Sequence, residues 1–398
     1  MRRTGVLVGC VVLLLLSGCT KEKKQTIPTG ETKEEVIMTQ EPTKTVVEEE
    51  LTIQQISSMD LVKEMKIGWN LGNTLDAKGG MGIMSENAWG NPVTKKEMIV
   101  AIKDAGFNVI RIPVTWSGHI TTDGTYRIHD KWMERVKEVV DYAYEEGLYV
   151  IINLHHEDDW LFPSYERQEE GTNGLTSIWT QIAETFKDYD EHLIFEGMNE
   201  PRMVGTSNEW NGGNQEGWNV INAWNQVFVD TVRATGGNNQ YRHLMIPGYA
   251  ASSTEQALKA IVVPDDERII ISVHGYLPYL MALSNQDVTE FDPENKSDTK
   301  DIDNLVQLIK ELFIDKGTPV IVGEFGTVDK DNLEARIANA KYYITETKKI
   351  GVPCIWWDNN SFTTSGENLG LYDRRNGVWV HQEIVDAMME CVEQEEIQ

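Results

Sequence analysis

Eight short apolar runs rich in β-branched residues recur between Leu51 and Gln398, separated by stretches of helical period, and this alternation predicts a single α/β domain, a (β/α)8 barrel. Three observations carry the prediction. The runs are apolar along their whole length, as parallel strands covered on both faces must be. Glycines stand just past helical stretches, in Glu145-Glu146-Gly147 and Lys349-Ile350-Gly351, where a helix stop is expected before the next strand. The roughly 350 residues from Leu51 onward suit a barrel with insertions. A doubly wound open sheet would instead need a glycine-rich phosphate loop after the first strand, and Gly68-Trp69-Asn70-Leu71-Gly72-Asn73 does not fit G-x-G-x-x-G.

The chain opens with Met1-Arg2-Arg3, an apolar run from Val6 to Leu16 and then Leu16-Ser17-Gly18-Cys19. The run is too short to span a bilayer comfortably, and the tetrapeptide resembles the bacterial lipobox. Residues 1–18 are thus expected to be a lipoprotein signal peptide, with Cys19 lipidated at the outer side of a bacterial membrane; the alternative is a plain secretory signal. Residues 20–50 hold eight Glu, five Lys and two Pro with little apolar periodicity, so 19–50 read as a flexible tether. The domain is 51–398. Ile53 to Met65 is amphipathic and is expected to form a helix covering one end of the core.

The predicted strands are Lys66–Leu71, Val109–Val114, Leu148–His155, His192–Asn199, His243–Tyr249, Arg268–Tyr276, Pro319–Phe325 and Val352–Asp358. Met133, Val136, Val140 and Ala143 mark one helical face between them, and Val306, Ile309, Leu312 and Phe313 another. Long loops are expected at about 72–93, 157–174, 201–216 and 277–303. With 63 acidic against 36 basic residues the formal charge is −27, which argues against nucleic acid and against anionic lipid surfaces as partners. Twelve Trp supply flat apolar faces suited to sugar rings. Outside the leader only Cys354 and Cys391 remain, and buried thiols are expected in preference to a bridge.

A barrel places its chemistry at the C-terminal ends of its strands. Those ends carry Arg111 and Pro113; Asn153, His155 and His156; Asn199 and Glu200; His274 and Tyr276; Glu324; and Trp356, Trp357 and Asp358. Polar groups at the ends of six apolar strands are costly to bury without a purpose. Glu200 and Glu324 are carboxylates on distant strands, the pair that glycosidic cleavage requires: one protonates the leaving oxygen, the other stabilises or traps the oxocarbenium-like carbon. Arg111 and His274 are expected to keep Glu324 ionised, Tyr276 to bond it, Asn199 to bond a sugar 2-hydroxyl, and Trp357 to floor the reacting sugar. His155-His156-Glu157-Asp158-Asp159 looks metal-like, but side chains alternating along a strand would not form a compact ligand set, so no metal is expected. No G-x-S-x-G elbow is present.

Seven blocks then resemble glycoside hydrolase family 5, most nearly its subfamily 4 endoglucanases. They are Gly68–Thr74, Arg111–Trp116, Asn153–His156, Phe195–Arg202, His274–Tyr276, Gly323–Gly326 and Ile355–Asn359, in that order. The resemblance implies a retaining enzyme without cofactor, with Glu200 as acid/base and Glu324 as nucleophile. Arg111, His155, Asn199, His274 and Tyr276 would support them, and Asn70, His156 and Trp357 would bind substrate. Trp356 is expected to pack outward. Trp89, Trp160 and Trp210 on the long loops, with Tyr165 and Tyr279, would line a groove for an internal stretch of polymer, unless some of them staple loops to the barrel. The expected substrate is a β-glucan (cellulose, mixed-linkage glucan or xyloglucan) and the expected state a monomer. A mannanase or xylanase on the same scaffold, or a sugar-binding lipoprotein, are the alternatives.

Overall fold

The computed structural model describes residues 51–393 apart from 285, 287, 364 and 365, so the leader, Cys19 and the tether lie outside the described residues. Eight parallel strands close into a barrel in sequence order: β1 Ile67–Leu71, β2 Val109–Ile112, β3 Tyr149–Asn153, β4 Leu193–Glu196, β5 Leu244–Ser252, β6 Ile269–His274, β7 Val320–Phe325 and β8 Cys354–Asp358, with β8 pairing back to β1. Each predicted strand contains or overlaps an observed one. The predictions for β2, β3, β4 and β6 overrun by two or three residues at the C-terminal end, where the chain has left the ladder at the mouth, while β5 runs on to Ser252.

Helix α1, Ser58–Glu64, precedes the barrel, and α2 Lys96–Asp104, α3 Asp130–Glu145, α4 Gln168–Thr185, α5 Gln215–Ala234, α6 Glu255–Lys259, α7 Tyr279–Ala282, α8 Lys296–Leu312, α9 Leu333–Lys348 and α10 Gln382–Glu393 follow the strands. Helix α1 is shorter than the amphipathic run suggested. Ser57 caps it, its hydroxyl accepting from the Asp60 N–H, so the residues before Ser57 stay outside. Leu61, Val62 and Met65 then pack with Val109, Tyr149, Ile151, Ile194, Met245, Ile270, Ile321 and Ile355 and close the barrel floor. The alternate residues of the same strands, among them Ile110, Val150, Ile152, Phe195 and Ile271, join the larger cluster under the helices.

The loop expected at 157–174 is a correction. Helix α4 already starts at Gln168 and includes Gly171 and Gly174. These glycines permit close approach rather than breaking the helix: a Cβ at 171 would lie 2.2 Å from Trp224 Cζ2, and one at 174 would lie 2.5 Å from Trp160 Cζ3. Cys354 and Cys391 are both buried free thiols.

Two features aim side chains into the mouth. In β7 the register with β6 passes from Val273↔Val322 to His274↔Glu324, so Gly323 is skipped and Glu324 turns inward. A Cβ at 323 would sit 3.2 Å from both His274 Nε2 and Ser272 Oγ, which leaves glycine as the fitting residue. On the far side, Asp358 points out of the barrel. It accepts from Trp69 Nε1 (3.0 Å), the Leu371 and Tyr372 N–H groups (3.0 Å each) and Arg374 Nη2 (3.3 Å), tying the chain after β8 onto β1. Asp358 therefore belongs to the frame rather than to the site. Asp358→Ala would strand a buried guanidinium and three N–H donors and should cost about 3–5 kcal/mol. Urea unfolding checks this, and a loss below about 1 kcal/mol would mean the frame does not depend on it.

Candidate active site

Arg111 on β2 sits at the centre of the barrel mouth with no exposed surface. Its Nε donates to Glu196 (2.7 Å), its Nη1 to Asn70 (3.0 Å) and Glu324 (2.8 Å), and its Nη2 to Asn199 (2.6 Å). Burial alone would lower its pKa, but the charges of Glu196 and Glu324 outweigh this and raise it.

Glu324 and Glu200 meet across this centre. One ligand atom each of Glu200, His274 and Glu324 lie within 4.8 Å of one another. Glu324 accepts from Arg111 at Oε1 and from the Tyr276 hydroxyl at Oε2 (2.7 Å), as anticipated. Burial and then the Glu324 charge push Tyr276 well above its ordinary value, so it stays a neutral donor. His274 departs from expectation. Its Nδ1 bonds Glu200 Oε1 at 2.7 Å and stands 3.6 Å from Glu324, so it serves the other carboxyl first.

The protonation shifts follow from these contacts. Burial raises Glu324 against the pull of His274 and Arg111, and the charge of Glu200 adds to the rise. Glu200 is also desolvated, yet the bond and charge of His274 hold it below the ordinary carboxyl range. Burial lowers His274, but Glu324 and Glu200 together more than reverse this and raise it. Both directions place the proton of the His274–Glu200 hydrogen bond on the His274 side, and the two groups titrate as a pair.

His155 is buried and neutral, its pKa pushed far down by burial and then by His156. Asn153 fixes its tautomer. The Asn153 Oδ1 accepts from the Val114 N–H (3.1 Å), so its Nδ2 donates to Glu196 (2.9 Å) and to His155 Nδ1 (3.1 Å). The proton of the ring is therefore on Nε2. Trp357 is 7% exposed and stacks parallel on His155, 5.6 Å away at 7°.

Strand alternation does not keep His155 and His156 apart. Strand β3 ends at Asn153, so alternation no longer applies, and the two rings meet edge to face at 4.5 Å, with Asp76 close enough to complete a three-ligand group. What opposes metal binding is the tautomer: a ring metallated at Nε2 would turn an Nδ1–H toward the Asn153 amide donor. Asp76 is already used by the Asn73 and Thr74 N–H groups, and burial raises its pKa to about 7.

Two substrate-binding assignments also change. Asn70 is fully buried, its Nδ2 donating to the Gly323 carbonyl (2.9 Å) and its Oδ1 accepting from Arg111, so it is placed to orient Arg111 and has no open surface. Trp160 is 5% exposed, donates to Glu157 Oε2 (3.0 Å) and packs under Gly174; it staples its loop. Trp89 (45% exposed) beside His156 and Trp210 (62% exposed) do present open faces, the latter with the Arg202 guanidinium 4.2 Å over one side of its ring. Trp356 is buried outward, donating to the Leu369 carbonyl (2.9 Å).

Sequence reasoning missed three contributors. Glu196, the last residue of β4, is completely buried against Arg111, Asn153 and Ser272. The signal was present, a carboxylate ending an apolar strand four residues before Glu200, but no partner could be named from sequence. Ser272 carried no signal at all. Glu367, in the loop after β8, is raised by burial and then by Glu324 and Glu200, which places a further acidic group by the mouth.

A model of the cellulase family, glycosyl hydrolase family 5, matches residues 73–363. Endoglucanase A of Ruminococcus albus is 46% identical over 340 residues, covering 85% of this chain and 93% of that protein. Among solved structures, a GH5-4 broad specificity endoglucanase from Ruminococcus champanellensis with bound cellotriose superposes with a TM-score of 0.82 at 46% identity, covering 85% of this chain and 99% of that one. A GH5 xyloglucan-specific endo-β-1,4-glucanase from a metagenomic library, in complex with cellotriose, gives 0.81 at 42% identity, covering 84% and 98%. With the barrel, the two carboxyls and these likenesses in agreement, the chain belongs to glycoside hydrolase family 5, the cellulase family.

Proposed function

We propose that this glycoside hydrolase cleaves internal β-1,4-glucosidic bonds of β-glucans by double displacement. The observation that carries the reading is the meeting of Glu200 and Glu324 with oxygens within 4.8 Å, each served by different donors. That approach suits the closely spaced carboxyls of retaining enzymes, about 5–5.5 Å apart, better than the wider spacing of inverting ones.

Glu324 is the nucleophile. Arg111 and Tyr276 each donate to one of its oxygens, which favours the anion and fixes its direction of attack. Glu200 is the acid/base, drawing its proton from the bond it shares with His274. As Glu324 adds to the anomeric carbon, Glu200 gives that proton to the leaving glycosidic oxygen. Formation of the glycosyl ester removes the charge of Glu324, and Glu200 then accepts a proton from the water that hydrolyses the ester. His155 offers its Nε2–H and Asn199 its Nδ2 to sugar hydroxyls, while Trp357 stacks beneath the ring.

The substrates are soluble or loosely ordered β-glucans, mixed-linkage glucan and xyloglucan beside amorphous cellulose. Support comes from the exposed Trp89, Trp210, Tyr165 and Tyr279 on separate loops of the rim, and from the broad specificity named for a similar structure. The enzyme is further proposed to act as a monomer held outside a bacterial membrane by lipid on Cys19, on the strength of Leu16-Ser17-Gly18-Cys19. Among the described residues no helix is long and apolar enough to cross a membrane.

Glu324→Gln and Glu200→Gln should each lower reducing-sugar release on mixed-linkage glucan by about 10²–10⁴-fold or more with unfolding unchanged. Assayed beside carboxymethylcellulose, xyloglucan, mannan and xylan, turnover confined to mannan or xylan would overturn the substrate, and tight oligosaccharide binding without turnover would favour a binding protein. Trp160→Ala should cost about 3 kcal/mol of stability, whereas Trp210→Ala should weaken polymer hydrolysis at nearly constant melting temperature; the reverse pattern would exchange their roles. Cys19→Ser should move the protein from the membrane pellet to the soluble fraction, and an unchanged distribution would remove the lipid anchor.

A further inference from the structure

Glu196 is a fully buried carboxylate at the base of the mouth to which the reaction gives no task. It lies beneath the two reacting carboxyls, and its two oxygens face three elements. Oε2 accepts from Arg111 Nε on β2 (2.7 Å) and from Asn153 Nδ2 on β3 (2.9 Å), while Oε1 accepts from Ser272 Oγ on β6 (2.6 Å). Both groups it holds at Oε2 continue to the reacting centre. Arg111 passes to the nucleophile Glu324 and to Asn199, and Asn153 passes to His155 Nδ1.

We infer that Glu196 is a positioning residue for catalysis, a single anionic anchor that aims Arg111 at the nucleophile and at the same time sets the His155 tautomer that faces the sugar. The inference rests on the proposed reaction and deepens it. The geometry leaves few substitutes. Arg111 has four acceptors, and Glu196 and Glu324 are the two that are charged; Glu196 takes the Nε–H, and with that edge fixed the planar guanidinium has no rotation left by which to miss Glu324. Asn153 is held from the opposite side by the Val114 N–H at Oδ1, so an acceptor at residue 196 is what directs its Nδ2 inward to serve Glu196 and His155 together. A glutamine at 196 keeps the volume and one acceptor oxygen, but its amide group would confront either Arg111 and Asn153, both donors, or Ser272.

Charge follows the same lines. Glu196 is the first of the two anions that raise Arg111, ahead of Glu324. The other ionisable groups facing the cluster include Glu200 and Arg202 after β4, His274 at the end of β6 with Tyr276 just past it, His155 and His156 after β3 and Glu367 after β8. Against this set, deleting the negative charge of Glu196 makes protons less welcome at every neighbour, so the pKa values of Glu324 and of the His274–Glu200 pair all fall. Arg111 would also act on Glu324 undivided, which makes the carboxylate a poorer nucleophile.

The test is the pH profile of kcat/KM on soluble mixed-linkage β-glucan for wild type, Glu196→Gln and Glu196→Asp, with melting temperature recorded for each. Glu196→Gln should lose about tenfold to a hundredfold in kcat with KM within about twofold, the loss expected when a reacting group is misplaced. Both limbs of its profile should move to lower pH by roughly half a unit to one unit. Glu196→Asp keeps the charge but withdraws it from Arg111, so kcat should fall while the limbs stay in place. Limbs that do not move in the glutamine variant, or activity that falls only in step with melting temperature, would make Glu196 a mere packing group and overturn the inference. If Glu196→Gln does not fold, Glu196→Asp decides alone: a lower kcat at constant KM supports positioning, and wild-type kcat removes it. Wild-type inactivity on every β-glucan would instead refute the reaction on which the inference stands.

Discussion

The mouth of this barrel is organised around a buried guanidinium. Arg111 occupies a place where an unpaired charge would cost several kcal/mol even after relaxation, and it persists because four oxygen acceptors from three strands and their ends converge on it. Each acceptor pays back more than its own share of solvation, since a group bonded to Arg111 is also fixed in direction. Asn70 is held by the Gly323 carbonyl, Glu196 by Ser272 and Asn153, Glu324 by Tyr276. The polar layer is therefore a closed network rather than a set of pairs, and its members cannot be exchanged one at a time.

That network has to stand on something apolar. Below it, inward residues of all but one strand (Val109, Tyr149, Ile151, Ile194, Met245, Ile270, Ile321, Ile355) form a dry floor, sealed by Leu61, Val62 and Met65 of α1. The alternation along each strand carries both layers: Ile194 and Glu196 point the same way two residues apart, as do Ile151 and Asn153, or Val109 and Arg111. Simple alternation would turn Glu324 away from the mouth, because Ile321 already faces inward. The skipped Gly323 repairs the phase, and a side chain there would press on His274 and Ser272. One irregularity in an otherwise regular barrel thus delivers the second carboxyl.

How much of this is legible in sequence can be traced residue by residue. Whole-length apolar runs name the strands, because burial on both faces is a composition that survives without knowledge of partners. Strand-end polarity names Glu200, Glu324, Arg111, His155, His274 and Tyr276, because polar groups there have no other economical reason. Pairing is what escapes. Whether His274 bonds Glu200 or Glu324 depends on a difference between 2.7 and 3.6 Å, to residues 74 and 50 positions away in the chain. Asn70 and Glu196 look like any strand polar residue until the barrel closes and shows that neither reaches the surface. The start of α4 escapes too, because the partners that call for Gly171 and Gly174, Trp224 and Trp160, come from elsewhere in the chain.

The same distinction separates the tryptophans. Trp69, Trp116, Trp132, Trp179, Trp224 and Trp356 are fully buried, and several spend their N–H groups on fixed acceptors: Trp69 on Asp358, Trp116 on the Asn153 carbonyl, Trp179 on the Gly197 carbonyl and Trp356 on the Leu369 carbonyl. An indole so committed cannot be lent to a ligand, however near the cleft it lies. Trp357 differs in stacking by its face on His155, a neighbour whose own position is set by Asn153 and hence by Glu196. Trp357, His155 and Glu324 are in this way referred to one buried carboxylate. Rigid side chains register the Trp357 face against Glu324, and the placement of the two carboxyls is built below the surface of the cleft.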